Sequence, residues 1–196
     1  MRRKEKLLLS FLLIGLLGGL AGLGVFSAFS STTTNSGNNF STGSVTLSDN
    51  DSNQALYNVT NQKPGDPATA SCIKVTYTGS LASDVKLYTT STINSVGQYV
   101  DLTITPGTQA SPSFPSCTGF VADGSGPIYT GTVQNFASTY PSYASGLADY
   151  PGSSSAWNTN DSVVYKFQVQ LQGGAPDAAQ GLATGSHSYT WEARNQ

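Results

Sequence analysis

The sequence predicts an all-β fold in which two antiparallel sheets pack face to face. Short stretches of alternating apolar and polar residues recur after residue 40, and turns rich in glycine and proline separate them. The same part of the chain shows no long helical pattern, no internal repeat and no second domain. Strands that are apolar on one face must bury that face against another sheet, so an antiparallel β-sandwich follows.

Three strands are predicted before residue 90. Residues 40–47 alternate loosely and form the first strand. The turn at residues 63–67 contains Pro-Gly, the pair that presets the φ angles of a tight turn. Residues 73–77 follow it as a half-buried strand, with Ile, Val and Tyr on one face, and residues 85–87 begin the third strand.

The segment between the first two strands, residues 49–53, has the Asp-x-Asp-x-Asn spacing of half a calcium-binding loop. Gln54 replaces the glycine that such a loop needs, and Thr60 replaces the bidentate glutamate. We therefore expect a solvated turn here, with calcium binding as the alternative.

The middle of the chain predicts two strands and a weak helix. Residues 99–105 form a strand that Pro106-Gly107 should end. Residues 107–127 are rich in Pro, Ser and Gly and are predicted to form a loop, and residues 128–133 form a strand. Tyrosine and leucine at spacings of three and four predict a short helix within residues 136–150.

The most regular strand covers residues 163–171, where five large apolar side chains alternate with mostly polar ones. Burial of those five side chains should contribute roughly 8–15 kcal/mol before entropy is counted. The last strand covers residues 186–194. It places Tyr189, Trp191 and Ala193 either inward or outward, and the pattern alone leaves both phases open.

The N-terminus is typical of an export signal. A cationic opening precedes an apolar run over residues 7–25, and small residues follow it, so we place the cleavage after Ala28. The predicted organisation is a signal helix over residues 1–28 and one sandwich domain over residues 29–196, which begins at Phe29. An uncleaved membrane anchor is the alternative, because eighteen apolar residues can span a bilayer.

The composition after residue 28 excludes several classes of partner. Five Lys and Arg face ten Asp and Glu, which gives a formal charge of −5. Nucleic acids and anionic lipids both require clustered basic residues, so neither is expected as a partner, and a membrane is expected only before signal cleavage. The low content of charge gives weak mutual repulsion, which suits a protein that associates with copies of itself.

The two cysteines, Cys72 and Cys117, lie in a chain predicted to be exported, where oxidation is the default. We predict that they form a disulfide. A structural metal site would need more ligands than two cysteines and one distant histidine can supply.

The stretch V-F-S-A-F-S-S-T-T-T-N-S-G-N-N-F-S-T-G-S-V-T-L at residues 25–47 resembles the signal-peptide exit and first mature strand of the TasA/camelysin family of biofilm matrix proteins. The positions that carry the resemblance are Phe29, Phe40, Gly43, Val45 and Leu47. Residues 58–66, 77–85 and 180–196 are similar to further segments of that family, in the same order. The cysteines depart from the family pattern, and residues 111–157 match nothing in it.

The resemblance implies a jelly-roll-like sandwich that is secreted and assembles into extracellular fibres. It also implies donor-strand exchange, in which residues 29–47 leave their own subunit and pair with an open sheet edge of the next one. The implied partners are further copies of the chain in a head-to-tail homopolymer, a signal peptidase and other matrix proteins. No cofactor is implied.

The camelysin name also implies a metallopeptidase, and the residues argue against this activity. The chain has one histidine, His187, and no H-E-x-x-H motif. We expect His187 to be a half-exposed strand residue, and we expect no catalytic, cofactor-binding or metal-ligating residues. A monomeric adhesion or sugar-binding sandwich is another alternative, with a patch formed by Tyr140, Tyr143, Tyr150 and Trp157; these aromatics are more typical of core.

Overall fold

The structure is a computed structural model that describes Lys4, Leu12 and residues 39–196. The chain forms two compact units, residues 1–41 and residues 42–196. In the first unit Lys4 and Leu12 are helical and residues 39–41 have no regular structure. Within the described residues no helix has the length and apolar character needed to cross a membrane. The predicted cleavage between Ala28 and Phe29 lies outside the described residues.

The second unit is an antiparallel β-sandwich, so the predicted fold class is confirmed. Its strands are β1 Leu47–Asp49, β2 Thr69–Tyr77, β3 Ser83–Tyr88, β4 Val100–Gln109, β5 Phe120–Ala122, β6 Tyr129–Thr132, β7 Leu147–Ala148, β8 Ser162–Leu171 and β9 Thr190–Asn195. One sheet has the order β1-β2-β8-β4-β5, with β6 also paired to β4, and the other has the order β7-β3-β9. An α-helix, α1 (Val133–Thr139), and two 3-10 turns, Ser95–Tyr99 and Asp177–Ala179, complete the fold.

The central strand of the larger sheet is β8, which pairs with β2 on one side and β4 on the other. Its alternating pattern places Val163, Tyr165, Phe167 and Val169 in the core, each no more than 5% exposed. These four buried side chains contribute roughly 6–12 kcal/mol of transfer free energy before entropy.

The smaller sheet closes the core from the other side. Val85 and Leu87 of β3 are buried, and Tyr189, Trp191 and Ala193, along β9 and just before it, pack against the core. Of the two phases that the sequence allowed for the last strand, the structure has the inward one. The aromatic rings of Tyr165 and Trp191 lie with centroids 5.5 Å apart, which joins the two sheets.

The predicted end of β4 at Pro106 is wrong, because the strand continues to Gln109. The Pro106 carbonyl accepts from the Asp123 N–H on the side facing β5 and β6. In a strand, N–H and C=O of one residue point the same way, so the missing N–H of Pro106 also faces away from β8. The proline therefore removes no hydrogen bond from the β4–β8 ladder.

Two further predictions for the middle of the chain need correction. The region 107–127 is not one loop, since it contains the end of β4 and the short strand β5. The helix predicted within residues 136–150 lies earlier, at Val133–Thr139, where the Thr132 side chain accepts from the Asn135 N–H at its start. Its buried face consists of Val133 and Phe136, and Pro141 prevents continuation of the helix.

Candidate assembly edge and an adjoining cleft

The N-terminal segment of the sandwich lies along the outer edge of β2. Its regular part is β1, which pairs Leu47 with Tyr77 and Asp49 with Val75. The strand predicted at residues 40–47 is therefore displaced toward the C-terminus. β1 pairs three residues with one neighbouring strand, so it is an edge strand with few ladder bonds.

Hydrogen bonds extend this contact upstream of β1. Thr78 N–H donates to the Thr46 carbonyl at 2.9 Å, and Ser80 N–H donates to the Ser44 carbonyl at 2.9 Å. The Ser44 N–H donates in return to the Ser80 hydroxyl at 2.9 Å. Residues 44–49 are thus held mainly through their backbone, which is the kind of contact that strand addition uses.

The side chains of this segment contribute little to the core. Leu47 packs against the core and is half-buried, whereas Val45 is 38% exposed and Phe40 is 88% exposed. A Cβ added at Gly43 would overlap the Leu81 side chain, which would have to shift. Of the five residues predicted for a donor strand, four lie in the described part, and Phe29 does not.

The turn after β1 uses its carboxylates internally. Asp49 accepts from the Asp51 N–H at 3.1 Å, and Asp51 accepts from the Asn53 N–H at 2.7 Å. Ser52 and Asn53 have φ angles of 54° and 61°, in the left-handed region that such turns favour. Burial raises the pKa of Asp49 above its ordinary value. The segment has the geometry of the predicted turn.

The disulfide predicted between Cys72 and Cys117 is present, with Cα atoms 5.1 Å apart and a sequence separation of 45 residues. It joins β2 to the segment between β4 and β5. Cys72 is 2% exposed.

A cleft of about 1020 Å³ opens beside this part of the sandwich. Residues 54–62 form one wall, and residues 179–189 form the other. Its floor is the inner face of the larger sheet, at Ile73, Val169 and Leu171. The apolar floor shows that the smaller sheet leaves part of the larger one to be covered by loops.

The two walls are joined by a hydrogen-bonded cluster of Tyr57, His187 and Tyr189. The Tyr57 hydroxyl lies 2.7 Å from Nε2 of His187 and 2.8 Å from the Tyr189 hydroxyl. Nδ1 of His187 lies 2.9 Å from the Gly185 carbonyl. A carbonyl only accepts, so the neutral ring carries its hydrogen on Nδ1 and Nε2 accepts from Tyr57.

The cluster keeps its hydroxyls protonated. Burial raises the pKa of Tyr57 to about 12, and burial raises the pKa of Tyr189 well above its ordinary value. His187 is half-buried as expected, but it lies before β9 and not on a strand.

The four aromatic residues considered for a sugar-binding patch do not form one. Trp157 is 0% exposed, and its indole Nε1–H donates to the Asp149 carbonyl at 2.7 Å. Tyr140 and Tyr150 pack against the core. The Tyr143 ring is covered by the Arg194 guanidinium, whose centre lies 4.0 Å from the ring centroid.

Asp149 is a half-buried residue that directly follows β7. Burial raises the pKa of Asp149 to about 6, and contacts with Tyr165 and the Tyr150 backbone offset this only in part. One carboxyl oxygen of Asp149 is buried without a hydrogen-bond partner. Burial, and secondly the charge of Asp149, raise the pKa of Tyr165 well above its ordinary value.

Replacing Asp149 by asparagine is expected to raise the free energy of unfolding at pH 7.5. The folded-state pKa of about 6 exceeds the ordinary 3.8, so the wild type loses stability as pH rises between those values and bears the full cost above them. After solvent screening the gain should be about 1–2 kcal/mol. Urea unfolding at pH 4 and pH 7.5 measures it, with exposed Asp177→Asn as the matched control. A gain that is equal at both pH values would contradict this assignment.

The described residues do not form a metal site. Among the described residues no group of three His, Cys, Asp or Glu side chains lies close enough to hold a metal ion. The sequence of the remaining part adds one such residue, Glu5. Both cysteines are in the disulfide, so neither offers a thiolate. The residues present do not fit a catalytic zinc.

The comparisons with known proteins identify the family. The family described as camelysin metallo-endopeptidase matches residues 4–101, which include β1, β2 and β3. The comparison with curated proteins finds no match. Since the match covers half of the chain, this protein belongs to the camelysin family.

Proposed function

We propose that this chain is a secreted structural subunit of extracellular fibres in a biofilm matrix, and that its subunits join by exchange of residues 29–47. One observation carries the proposal. Residues 44–49 are held on the edge of β2 by backbone hydrogen bonds, with Leu47 as their core contact, while Phe40 is 88% exposed. A segment attached in this way can leave one subunit and take the same place on another at little cost.

The exchange favours the filament only through contacts that differ between a free subunit and a subunit in the filament. Residues 44–49 make the same bonds on their own subunit or on a neighbour, so they favour neither. The free energy that favours the filament must therefore come from contacts of residues 29–43. Burial of Phe40 alone contributes roughly 2 kcal/mol. Head-to-tail contacts that do not close on themselves generate a filament.

Deleting residues 29–38 is therefore expected to leave a folded monomer that forms no filaments. The exported protein should form fibres under the electron microscope, and Phe40→Ser should reduce them. A synthetic peptide of residues 29–47 added to the deletion variant should raise its melting temperature, because a bound strand stabilises the folded state. As a control, a peptide of the same composition in scrambled order should have no effect.

Normal polymerisation of the deletion variant would show that exchange of this segment is the wrong mechanism. N-terminal sequencing of the exported protein checks the start at Phe29. Localisation at the cell surface or in the matrix, with other matrix proteins as partners, is part of the same proposal.

We also propose that the chain is not a peptidase, despite the family's description. The available metal ligands support this proposal. His187 is hydrogen-bonded to Tyr57 and to the Gly185 carbonyl, and it has no second histidine beside it. Purified protein supplied with zinc should not cleave casein, and His187→Ala should change stability only slightly. Casein cleavage that a chelator stops and that His187→Ala abolishes would overturn this proposal.

The cleft favours a second candidate function, a ligand-binding sandwich. Its lining includes Tyr57, Tyr189 and Trp191, and aromatic side chains stack on sugar rings or extended peptides. Saturation-transfer NMR with soluble matrix polysaccharide tests this function. Signals that disappear in Tyr57→Ala, without loss of fibres, would assign the cleft a role separate from assembly.

A further inference from the structure

The edge of β2 that faces β1 continues beyond the end of β1. Thr78 and Ser80 donate their N–H groups toward this edge, whereas Tyr77 donates to Asp161 on the opposite side. Successive residues of a strand alternate in direction, so Cys72 and Lys74 also point their N–H groups to the open edge. No strand among the described residues pairs with them there, since β1 covers β2 from Val75 to Tyr77.

Two groups that are not strands cover these N–H groups. Lys74 N–H donates to the Asn50 side chain at 2.8 Å, and Cys72 N–H donates to the Pro115 carbonyl at 2.9 Å. An uncovered row of N–H groups at a sheet edge is a template for pairing with another chain. The edge N–H groups of Cys72 and Lys74 are thus satisfied without a further strand.

The carbonyl that covers Cys72 belongs to a small hairpin, residues 113–117. Ser116 N–H donates to the Ser113 carbonyl at 2.7 Å inside it. The Gln109 amide, at the end of β4, donates to the Ser116 carbonyl at 3.0 Å. The disulfide then ties Cys117 to Cys72, which is the residue whose N–H the hairpin covers.

We propose that the disulfide-held hairpin 113–117 is an edge cap, which prevents the first half of β2 from pairing with a second copy of this chain. The partner that fits the uncapped edge is the same edge of another copy, because antiparallel pairing across a two-fold axis brings identical edges together. The product is a closed dimer. It differs from the open filament of the proposed function and does not depend on it.

Amide hydrogen exchange tests the cap one residue at a time. In Cys72→Ser/Cys117→Ser, the amide at position 72 should exchange at least about tenfold faster, because opening the hairpin exposes it. The amides at 73 and 75, which point to β8, should exchange only through global unfolding, which the loss of the bond also makes more frequent, so they should keep higher protection factors than the amide at 72. Equal protection factors at 72, 73 and 75 in the variant would show general destabilisation only and would overturn the cap, as would an unchanged rate at 72.

Asn50→Ala provides a variant that leaves the disulfide intact. It should accelerate exchange at Lys74 and leave position 72 unchanged, since each N–H has its own cover. Unchanged exchange at Lys74 would contradict the assignment of this edge.

Self-association tests the consequence. The triple variant Asn50→Ala/Cys72→Ser/Cys117→Ser should form a dimer in sedimentation velocity, which separates a closed dimer from filaments. Adding Lys74→Pro should abolish the dimer, because proline removes the edge N–H and costs no bond to β8. A triple variant that does not dimerise, or a dimer that persists with Lys74→Pro, would overturn the proposal.

Discussion

Replacing Trp157 by alanine is expected to lower the free energy of unfolding by about 4 kcal/mol. The side chain is 0% exposed and is the largest of the fully buried ones. Its removal leaves a cavity and also leaves the Asp149 carbonyl without the indole donor. The backbone pairing of Trp157 with Ser83, at 2.8 and 3.0 Å, survives the substitution, so the variant should still fold.

Urea unfolding at neutral pH measures this loss. Tyr143→Ala is the matched control, because its ring lies at the surface against Lys86 and Arg194, and it should cost less than about 1 kcal/mol. Trp157→Phe should fall between the two, since it keeps much of the volume and loses the hydrogen bond. A loss below about 1 kcal/mol for Trp157→Ala would contradict its place in the core.

Replacing both cysteines by serine is expected to lower the free energy of unfolding by about 4 kcal/mol on the chain-entropy model. The bond closes a loop across a sequence separation of 45 residues, and the unfolded chain regains that freedom when the bond is absent. The same measurement on the oxidised wild type gives the reference. The wild type treated with dithiothreitol should approach the variant, and dithiothreitol should not change the variant itself.

This global loss and the local change at position 72 are separate readouts of one bond. A loss below about 1 kcal/mol would show that the unfolded chain is already constrained in this region.

The strands of the sandwich were predictable because one face of each is buried. Strict alternation in β8 and β2 repeats at every second residue, and no other local structure has that period. The turn at Gly65, which has a φ angle of 83°, was predictable for a similar reason, since its Pro-Gly pair fixes the backbone locally.

The errors arose where the outcome depends on distant partners. A proline such as Pro106 predicts the end of a strand, because it lacks an N–H. Only the position of β5 and β6 shows that the missing N–H faces away from β8. The helix α1 was misplaced because Tyr140 extends the apolar spacing past the true end, although Pro141 marks it.

The strand at the N-terminal edge of the sandwich was predicted in kind and not in position. The sequence indicated a backbone-held strand near residues 40–47, while the register on β2 required the fold. The cleft and its Tyr57–His187–Tyr189 cluster were missed. Residues 57 and 187 are 130 positions apart, and no local pattern relates them.

The position of Pro106 gives the larger sheet two unequal ends. At one end β4 pairs with the short strands β5 and β6, of three and four residues. Pro106 lies in β4 between these two pairings and has no N–H. At the other end the N–H groups of Thr78 and Ser80 bind the carbonyls of Thr46 and Ser44, in the segment proposed to exchange. Strand addition is therefore expected at one end of each subunit. A fibre built in this way would be polar, and seeds would elongate from a single tip.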